Sequence, residues 1–458
     1  MNHPMRLEFW KQKKVWLSAA ALALAAASYA GLQGQCSESA RRMAFIFVLA
    51  ASFWTFEMIP LYATALWVVF LESFLLVRPL GMGSGLETYF IGPLADPVIV
   101  LFLGGFILAR AFAKYGIDSS IATCLLRHAG NRPYFMLLSF MAATAFLGMW
   151  ISNTATSALM LAVLLPILGS LDAGDPFRKA LVLGIPFAAR IGGITTPVGS
   201  PTNALALGLL AERGIHVNFL TWMSATLPLA VLLLLMTSGI LYILFPPRQA
   251  AVPCSMEPTR PFDRDARLVL FIGAATAGLW LTSPWHRMPE YLTALLCAGV
   301  LAAMRLITVE DLKKIDWDIL ILMWGGLALG EGMMITGLAD WAMTLPVYPH
   351  EKWLLYLAVC LVTVLLSTFM SNTATVNLLI PVALSIPAGD ASMLAVLVAL
   401  AASFDLGLPI STPPMAMAYG TKELSISDML KAGTVFALVA NVLLLAGVEF
   451  MMKEVFVR

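Results

Sequence analysis

The chain has 458 residues, of which 60% are hydrophobic and only 12% charged, too little polar surface for a water-soluble protein of this length. Its formal net charge of +1 offers no basic excess for a nucleic-acid partner. Five scattered cysteines without Cys-x-x-Cys spacing, and five histidines in or beside loops, argue against a structural zinc site, a disulfide framework, haem ligation or a histidine proton relay within the apolar runs.

Taken in order, Lys11, Lys13 and Lys14 precede an apolar run from Val15 to about Ala27, followed by Ser28-Tyr29-Ala30. That order resembles a secretory leader with its cleavage site, but with so many later spans it reads as a first, uncleaved transmembrane helix. Further hydrophobic segments follow at about 41–57, 60–77, 96–113, 134–151, 155–170, 177–213, 219–245, 266–282, 290–306, 319–336, 351–370, 373–387, 392–421 and 426–451. Helix is the expected state of each, because lipid cannot satisfy a bare backbone. Two segments are interrupted, at Gly199-Ser200-Pro201 and at Ser411-Thr412-Pro413-Pro414. Proline removes an amide donor and stops a helix, and such breaks survive at membrane depth only where they are buried in protein or line a cavity.

Segments 134–151 and 155–170, and again 351–370 and 373–387, are separated by little more than Ser-Asn-Thr. Two full spans cannot reverse direction in three residues with the turn in water, so each pair reads as a re-entrant hairpin. The chain also repeats itself. Ser152-Asn153-Thr154-Ala155-Thr156 returns as Ser371-Asn372-Thr373-Ala374-Thr375, Gly104-Gly105 as Gly325-Gly326, and Ser200-Pro201 through Gly208 as Thr412-Pro413 through Gly420. With a cytoplasmic N-terminus, eleven crossings and hairpins that do not cross, 19 Lys and Arg fall inside and 8 outside, Arg190 aside. This is the expected positive-inside bias. It gives the halves opposite orientations and an extracytoplasmic C-terminus. The Pro-rich, charged stretch from Pro246 to Arg264 is the natural joint. The expectation is an all-α integral membrane protein of about eleven transmembrane helices plus two re-entrant hairpins, in two inverted-topology repeats.

The hairpin tips carry the chemistry. Ser and Thr hydroxyls donate or accept, Asn offers an amide donor and a carbonyl acceptor, and the helix that starts after each tip presents free N–H groups. Donors of this kind suit a carboxylate, and the accompanying oxygens suit Na+ or another hard cation. Two such tips meeting midway would hold the two ends of a dianion. A membrane-embedded enzyme would need a nucleophile with a base, a carboxylate pair or a metal cluster. The spans hold only scattered acids, Glu57, Glu72, Glu331 and Asp405, with no histidine beside them.

The paired Ser-Asn-Thr motifs, the G-S-P-T-N of Gly199–Asn203, the S-T-P-P-M of Ser411–Met415 and the hairpin order resemble the divalent anion/sodium symporters, the INDY-like carriers of succinate, malate and citrate. The resemblance runs from about Glu57 to Phe450. It implies an elevator-type secondary transporter of a bacterial inner membrane, usually a homodimer, with Na+ as coupling ion and no further cofactor. On that pattern residues 1–245 form the first repeat, with scaffold helices at about 16–113 and transport elements at 134–213. Residues 246–265 form a cytoplasmic linker. Residues 266–458 form the second repeat, with scaffold at 266–336, transport elements at 351–421 and a last helix at 426–451. The resemblance places Asn153 and Thr154 on one substrate carboxylate and Ser371, Asn372 and Thr373 on the other end, with Ser200, Thr412 and Pro413 facing them from the broken segments. One sodium would touch Ser152, Asn153 and Gly199. A second would touch Ser367, Ser371, Asn372 and the backbone near Ser411. Two positions depart from the pattern. Gly148 stands where a hydroxyl is expected, four residues before the tip serine, and Arg190 stands where a small or polar residue is expected. A buried arginine needs a partner, for which Asp405 is the candidate, and the pair is a candidate substitute for the charge of one sodium. C4-dicarboxylates fit two separated donor clusters best. Citrate, tartrate and sulfate, and sodium-independent exchange, are the alternatives.

Overall fold

A computed structural model describes residues 3–80, 87–127, 130–251, 262–344, 349, 351–386 and 390–456. Half of the joint expected at 246–265 therefore lies outside the described residues, as do Cys254, His128 and His350. All regular structure among the described residues is helical. The first run comprises α1 (His3–Gly31), α2 (Glu38–Phe56), α3 (Leu61–Leu75), the short α4 (Glu87–Ile91), α5 (Pro97–Lys114) and α6 (Ile117–Leu126). It continues through α7 (Pro133–Gly148), α8 (Asn153–Leu168), α9 (Phe177–Gly193), α10 (Pro201–Glu212) and α11 (Phe219–Leu244). The second comprises α12 (Arg264–Leu281), α13 (Ser283–His286), α14 (Glu290–Ala303), α15 (Val309–Leu312), α16 (Trp317–Ile335) and α17 (Leu338–Met343). It continues through α18 (Lys352–Phe369), α19 (Asn372–Leu384), α20 (Ala391–Ala401), α21 (Pro413–Gly420) and α22 (Ile426–Ala446), and α23 (Val448–Phe456) ends the chain. The element order of the first run, from α5 to α11, recurs from α16 to α22.

Among the described residues, six helices are long and apolar enough to cross a membrane, and seven further apolar helices have 10–17 residues. A 16-residue helix such as α7 rises about 24 Å, short of the roughly 30 Å hydrocarbon core. Large apolar side chains point outward around the molecule: Ile243 is 77% exposed, Phe271 70% and Phe74 68%. Water would penalise that belt, whereas lipid does not.

Hydrophobic association between helices is weak in lipid, so small residues that let backbones approach set the packing. Gly104 on α5 seats against α14, where a methyl group would lie 2.6 Å from Ala294 Cβ and its carbonyl oxygen. Its counterpart Gly325 on α16 meets Ala65 of α3 in the same way. The duplicated glycines thus do one job twice, each joining a helix of one run to a helix of the other. The tightest pairing in the hairpin region is α7 on α9. A methyl on Gly148 would lie 2.7 Å from the Ala189 carbonyl oxygen, and Gly192 lies directly against the Ala145 carbonyl. At the polar edge, Arg178 Nε donates to Glu423 at 2.8 Å and Lys179 Nζ to Asp428 at 2.9 Å. These bonds clamp the start of α9 to the segment between α21 and α22 and to the first turn of α22.

Candidate functional site

Each hairpin turns through a serine. Ser152 caps α8 in an extended backbone conformation, and its hydroxyl accepts from the Ala155 amide at 3.4 Å. Ser371 caps α19 with nearly the same backbone angles but no side-chain cap bond, which leaves the first amides of α19 without a side-chain acceptor. Thr154 is exposed, Thr373 is buried, and Asn153 and Asn372 are half-buried.

The broken segments mirror one another. Ser200 and Thr412 are both extended caps followed by proline at the first helical position, where the missing amide costs nothing. Asn203 holds the first break together, its Nδ2 donating to the carbonyls of Gly193 at 2.9 Å and Thr196 at 2.8 Å. Thr196 Oγ1 donates to the Met149 carbonyl, tying this break to the first hairpin. The Asn153 side chain lies against the Cα of Gly193, where a methyl would fall 2.7 Å from its Oδ1. A side chain at position 193 would push the Asn153 amide aside. At the second hairpin, Ser367 Oγ stands 2.7 Å from Asn372 Oδ1 and within hydrogen-bond reach of the Ala402 carbonyl. One hydroxyl proton serves one of these acceptors at a time, so the Ser367 hydroxyl has two oxygens within reach and a proton for only one of them. The halves also interlock, α21 packing on α8 and α10 on α19.

Arg190 crosses between the breaks. Carried by α9 and 1% exposed, it places Nη1 2.9 Å from Oδ2 of the fully buried Asp405. The two charges touch, although neither atom makes an aligned hydrogen bond. Asp405 Oδ1 accepts from the Gly407 amide at 2.8 Å. Arg190 Nη2 donates to Thr412 Oγ1 at 2.7 Å and lies 3.4 Å from Ser411 Oγ, whose own proton goes to the Leu408 carbonyl at 2.8 Å. The guanidinium is thus aimed at the second break rather than at Ser152 or Asn153, and beside Asp405 it adds no net charge.

The donor sets at the two hairpins differ as cation sites. Ser367 Oγ, Asn372 Oδ1 and the Ala402 carbonyl are the hard oxygen ligands that Na+ takes. At the first hairpin Asn153 Oδ1 is buried without a partner, which suits a cation. Position 148 offers no hydroxyl, however, and its contact with Ala189 leaves no room for one. Asn203, Thr196 and the Ala402 carbonyl escaped the sequence reading. Asn203 stands inside the G-S-P-T-N segment and was in view as a motif letter, whereas a backbone carbonyl leaves no mark in a sequence. A cavity of about 250 Å3 opens elsewhere, between α10, α16 and α19, lined by Tyr89, Glu212, Arg213, Glu331, Pro381 and Leu384 among others. Two carboxylates against one guanidinium make it a poor receptor for a dianion, and no tip residue lines it.

A helical membrane protein with paired hairpins, paired proline-capped breaks and interlocked halves has the architecture of a secondary transporter. The sodium:sulfate symporter transmembrane-region family model matches residues 12–455, and the chain belongs to that family. It is a multi-pass transport protein. It is 33% identical over 427 residues to an uncharacterized transporter of Haemophilus influenzae, covering 88% of this chain and 89% of that one. It is 29% identical to the sodium-dependent dicarboxylate transporter SdcS of Staphylococcus saprophyticus, over 90% and 86% of the two chains. Among solved structures, the YdaH transporter of Alcanivorax borkumensis superposes with a TM-score of 0.54 at 15% identity, over 81% of this chain and 90% of that one. This last likeness concerns the fold alone.

Proposed function

We propose that the protein is a secondary active transporter that takes up C4-dicarboxylates such as succinate, malate and fumarate with Na+, by an elevator movement, as a homodimer in a bacterial inner membrane with its N-terminus in the cytoplasm. In this reading α7–α10 and α18–α21 carry the substrate between the hairpin tips, against a scaffold that includes α3, α5, α14 and α16. Asn153 and Thr154 hold one carboxylate. Ser371, Asn372 and Thr373 hold the other, with Ser200, Thr412 and Pro413 closing the site from the breaks. Ser152, Asn153 and Gly199 would hold one sodium, and Ser367, Ser371, Asn372 and the backbone near Ser411 a second.

The observation that carries this reading is the oxygen cluster of Ser367, Asn372 and Ala402 beside a tip whose helix amides lack a side-chain cap. Cation ligands and anion donors stand side by side. A dianion entering a low-dielectric site loses several kcal/mol of hydration per charge. Neutral donors offset part of that loss and a bound cation offsets more, so cation and anion each raise the other's affinity. Arg190 is already matched by Asp405, which favours a sodium-coupled reading over sodium-independent exchange. The 29% identity to a transporter named for sodium-dependent dicarboxylate transport supports the same choice. Gly148 keeps exchange as the second reading, since it strips the first cation position of a hydroxyl. Thermal-shift measurements of the purified protein against succinate, malate, fumarate, citrate, tartrate and sulfate, with Na+ or choline, test the proposal. Stabilisation by C4-dicarboxylates that requires Na+ is expected. Equal shifts in choline, or a response to sulfate alone, would overturn it.

A further inference from the structure

The second break contains a contact that the first lacks, and the reason lies in the sequence. At the first break the cap hydroxyl of Ser200 is satisfied locally: it accepts from the Thr202 amide at 3.4 Å and lies 2.9 Å from Thr202 Oγ1. The position matching Thr202 in the second half is Pro414, which has neither an amide proton nor a hydroxyl. Thr412 therefore has no local donor, and its side chain makes no cap bond. Its donor comes from the opposite half, as Arg190 Nη2 at 2.7 Å. The position matching Arg190 in the second half is Ala402, so the contact is made once per chain. An arginine only donates, so this bond occupies a lone pair of Thr412 and leaves the hydroxyl proton to point away. Among the described residues no acceptor takes that proton, and Thr412 is half-buried beside the exposed Pro413. Asp405 fixes the guanidinium from behind, so the face turned to Thr412 is the positive end of a neutral pair.

We infer that Arg190 is a specificity-determining positioning residue. Held by Asp405, it occupies one acceptor lone pair of the Thr412 hydroxyl and so orients that hydroxyl's proton toward an anionic oxygen of the substrate. The inference rests on the dicarboxylate reading above and adds to it the reason this end of the site prefers an anion to a neutral or cationic group. A hydroxyl with free choice would serve either.

Michaelis constants for Na+-driven succinate uptake in proteoliposomes test it through a double-mutant cycle. Thr412→Ser retains the hydroxyl and should raise KM clearly less than the loss of that hydroxyl does. Thr412→Val removes it and should raise KM about ten- to a hundredfold, the cost of one hydrogen bond to a charged group, with kcat changing less. The neutral pair Arg190→Gln with Asp405→Asn should raise KM by a similar factor. Adding Thr412→Val to that background should then change KM by no more than about twofold. A purely structural brace would lower thermal stability and leave these effects independent. Multiplying effects, or a parental KM in the Arg190→Gln, Asp405→Asn protein, overturn the inference. Should the neutral pair fold poorly, Arg190→Lys keeps the charge but loses the planar fork: a raised succinate KM is expected, and an unchanged one overturns the inference. Failure of the parent protein to respond to any dicarboxylate would overturn both this inference and the functional reading, whereas independent substitutions in a dicarboxylate-responsive protein overturn this inference alone.

Discussion

Arg190 and Asp405 depend strongly on one another, because both are buried and each is the other's countercharge. Truncating one leaves the other charged in a low-dielectric site, so Arg190→Ala should cost about 3–5 kcal/mol, read as a large fall in thermal stability in detergent. The paired neutral change to Gln and Asn should fall clearly less, and equal losses would show that the ion pair is not what fixes these side chains. Ser367 makes a different demand. Its hydroxyl is one of three oxygens at the second tip, so Ser367→Ala should raise the Na+ concentration giving half-maximal uptake by about tenfold, a loss of about 1.4 kcal/mol of cation binding, while Thr156→Ala, at the first hairpin, should leave that second-tip dependence near the parental value. An unchanged Na+ dependence in Ser367→Ala would remove this residue from the cation site. At this scale the sequence was informative about residue types: the tips, the breaks and the Arg190–Asp405 pairing could all be read from position and apolar context. The direction of Arg190 was not legible. Only the fold reveals that a side chain from the first half serves Thr412 in the second, since that depends on the missing amide of Pro414 and on the approach of α9 to the second break.

Glycine contacts govern how the helices meet. Gly192 lies directly against the Ala145 carbonyl, whereas a methyl on Gly105 would meet Val198 at an ordinary 3.7 Å. Gly192→Ala should therefore destabilise the protein by about 1–3 kcal/mol through overpacking, and Gly105→Ala should be neutral or slightly stabilising through helix propensity. Similar melting temperatures for the two variants would contradict this account of α7 on α9. The same contact explains Gly148. From sequence it stood out only as a missing hydroxyl, but in the fold it is a close approach of two backbones. A second test lies outside the apolar helices. Asp311 on α15 accepts from Lys114 Nζ at 2.7 Å and from the amide and hydroxyl of Thr308 at 3.0 and 2.8 Å, with Arg110 at 3.4 Å. Burial alone would raise its pKa, but the bonds from Lys114 and Thr308 outweigh burial and hold the carboxyl well below the usual carboxylate range. A depressed folded-state pKa contributes stability that is fully present above the unfolded value, about 3.9, and is lost as pH falls through the lower folded value. The stability gap between the parent and Asp311→Asn should thus be constant from neutral pH to about 4 and narrow below. A gap that closes between pH 7 and 5 would show that this carboxylate is not held low. Helix positions agreed with the hydropathy reading to within a few residues at most boundaries, because proline, glycine or a polar cap residue marks many of them. The short helices α4, α6, α13, α15 and α17 were not anticipated, since four to ten residues carry too little periodicity to stand out from a loop.

In the molecule as a whole, the first run of helices joins the second through Gly104 on Ala294 and Gly325 on Ala65. Three motifs recur in order along the sequence, and the recurring glycines Gly104 and Gly325 each seat a helix of one run against a helix of the other. Membrane orientation rests on the Lys and Arg count alone. An elevator movement requires α10 to slide past α16, which touch where Gly330 faces Leu209. Bridging Leu209→Cys to Gly330→Cys with mercury, in a background without the native cysteines, should stop uptake while leaving succinate binding in place. Undiminished uptake by the bridged protein would exclude sliding at this surface. The central claim, that paired tips bind a dianion together with sodium, is tested most directly by succinate uptake into proteoliposomes under an inward Na+ gradient. The account predicts accumulation above the equilibrium level that collapses when choline replaces Na+. Equal uptake in choline, driven only by dicarboxylate preloaded inside, would contradict it.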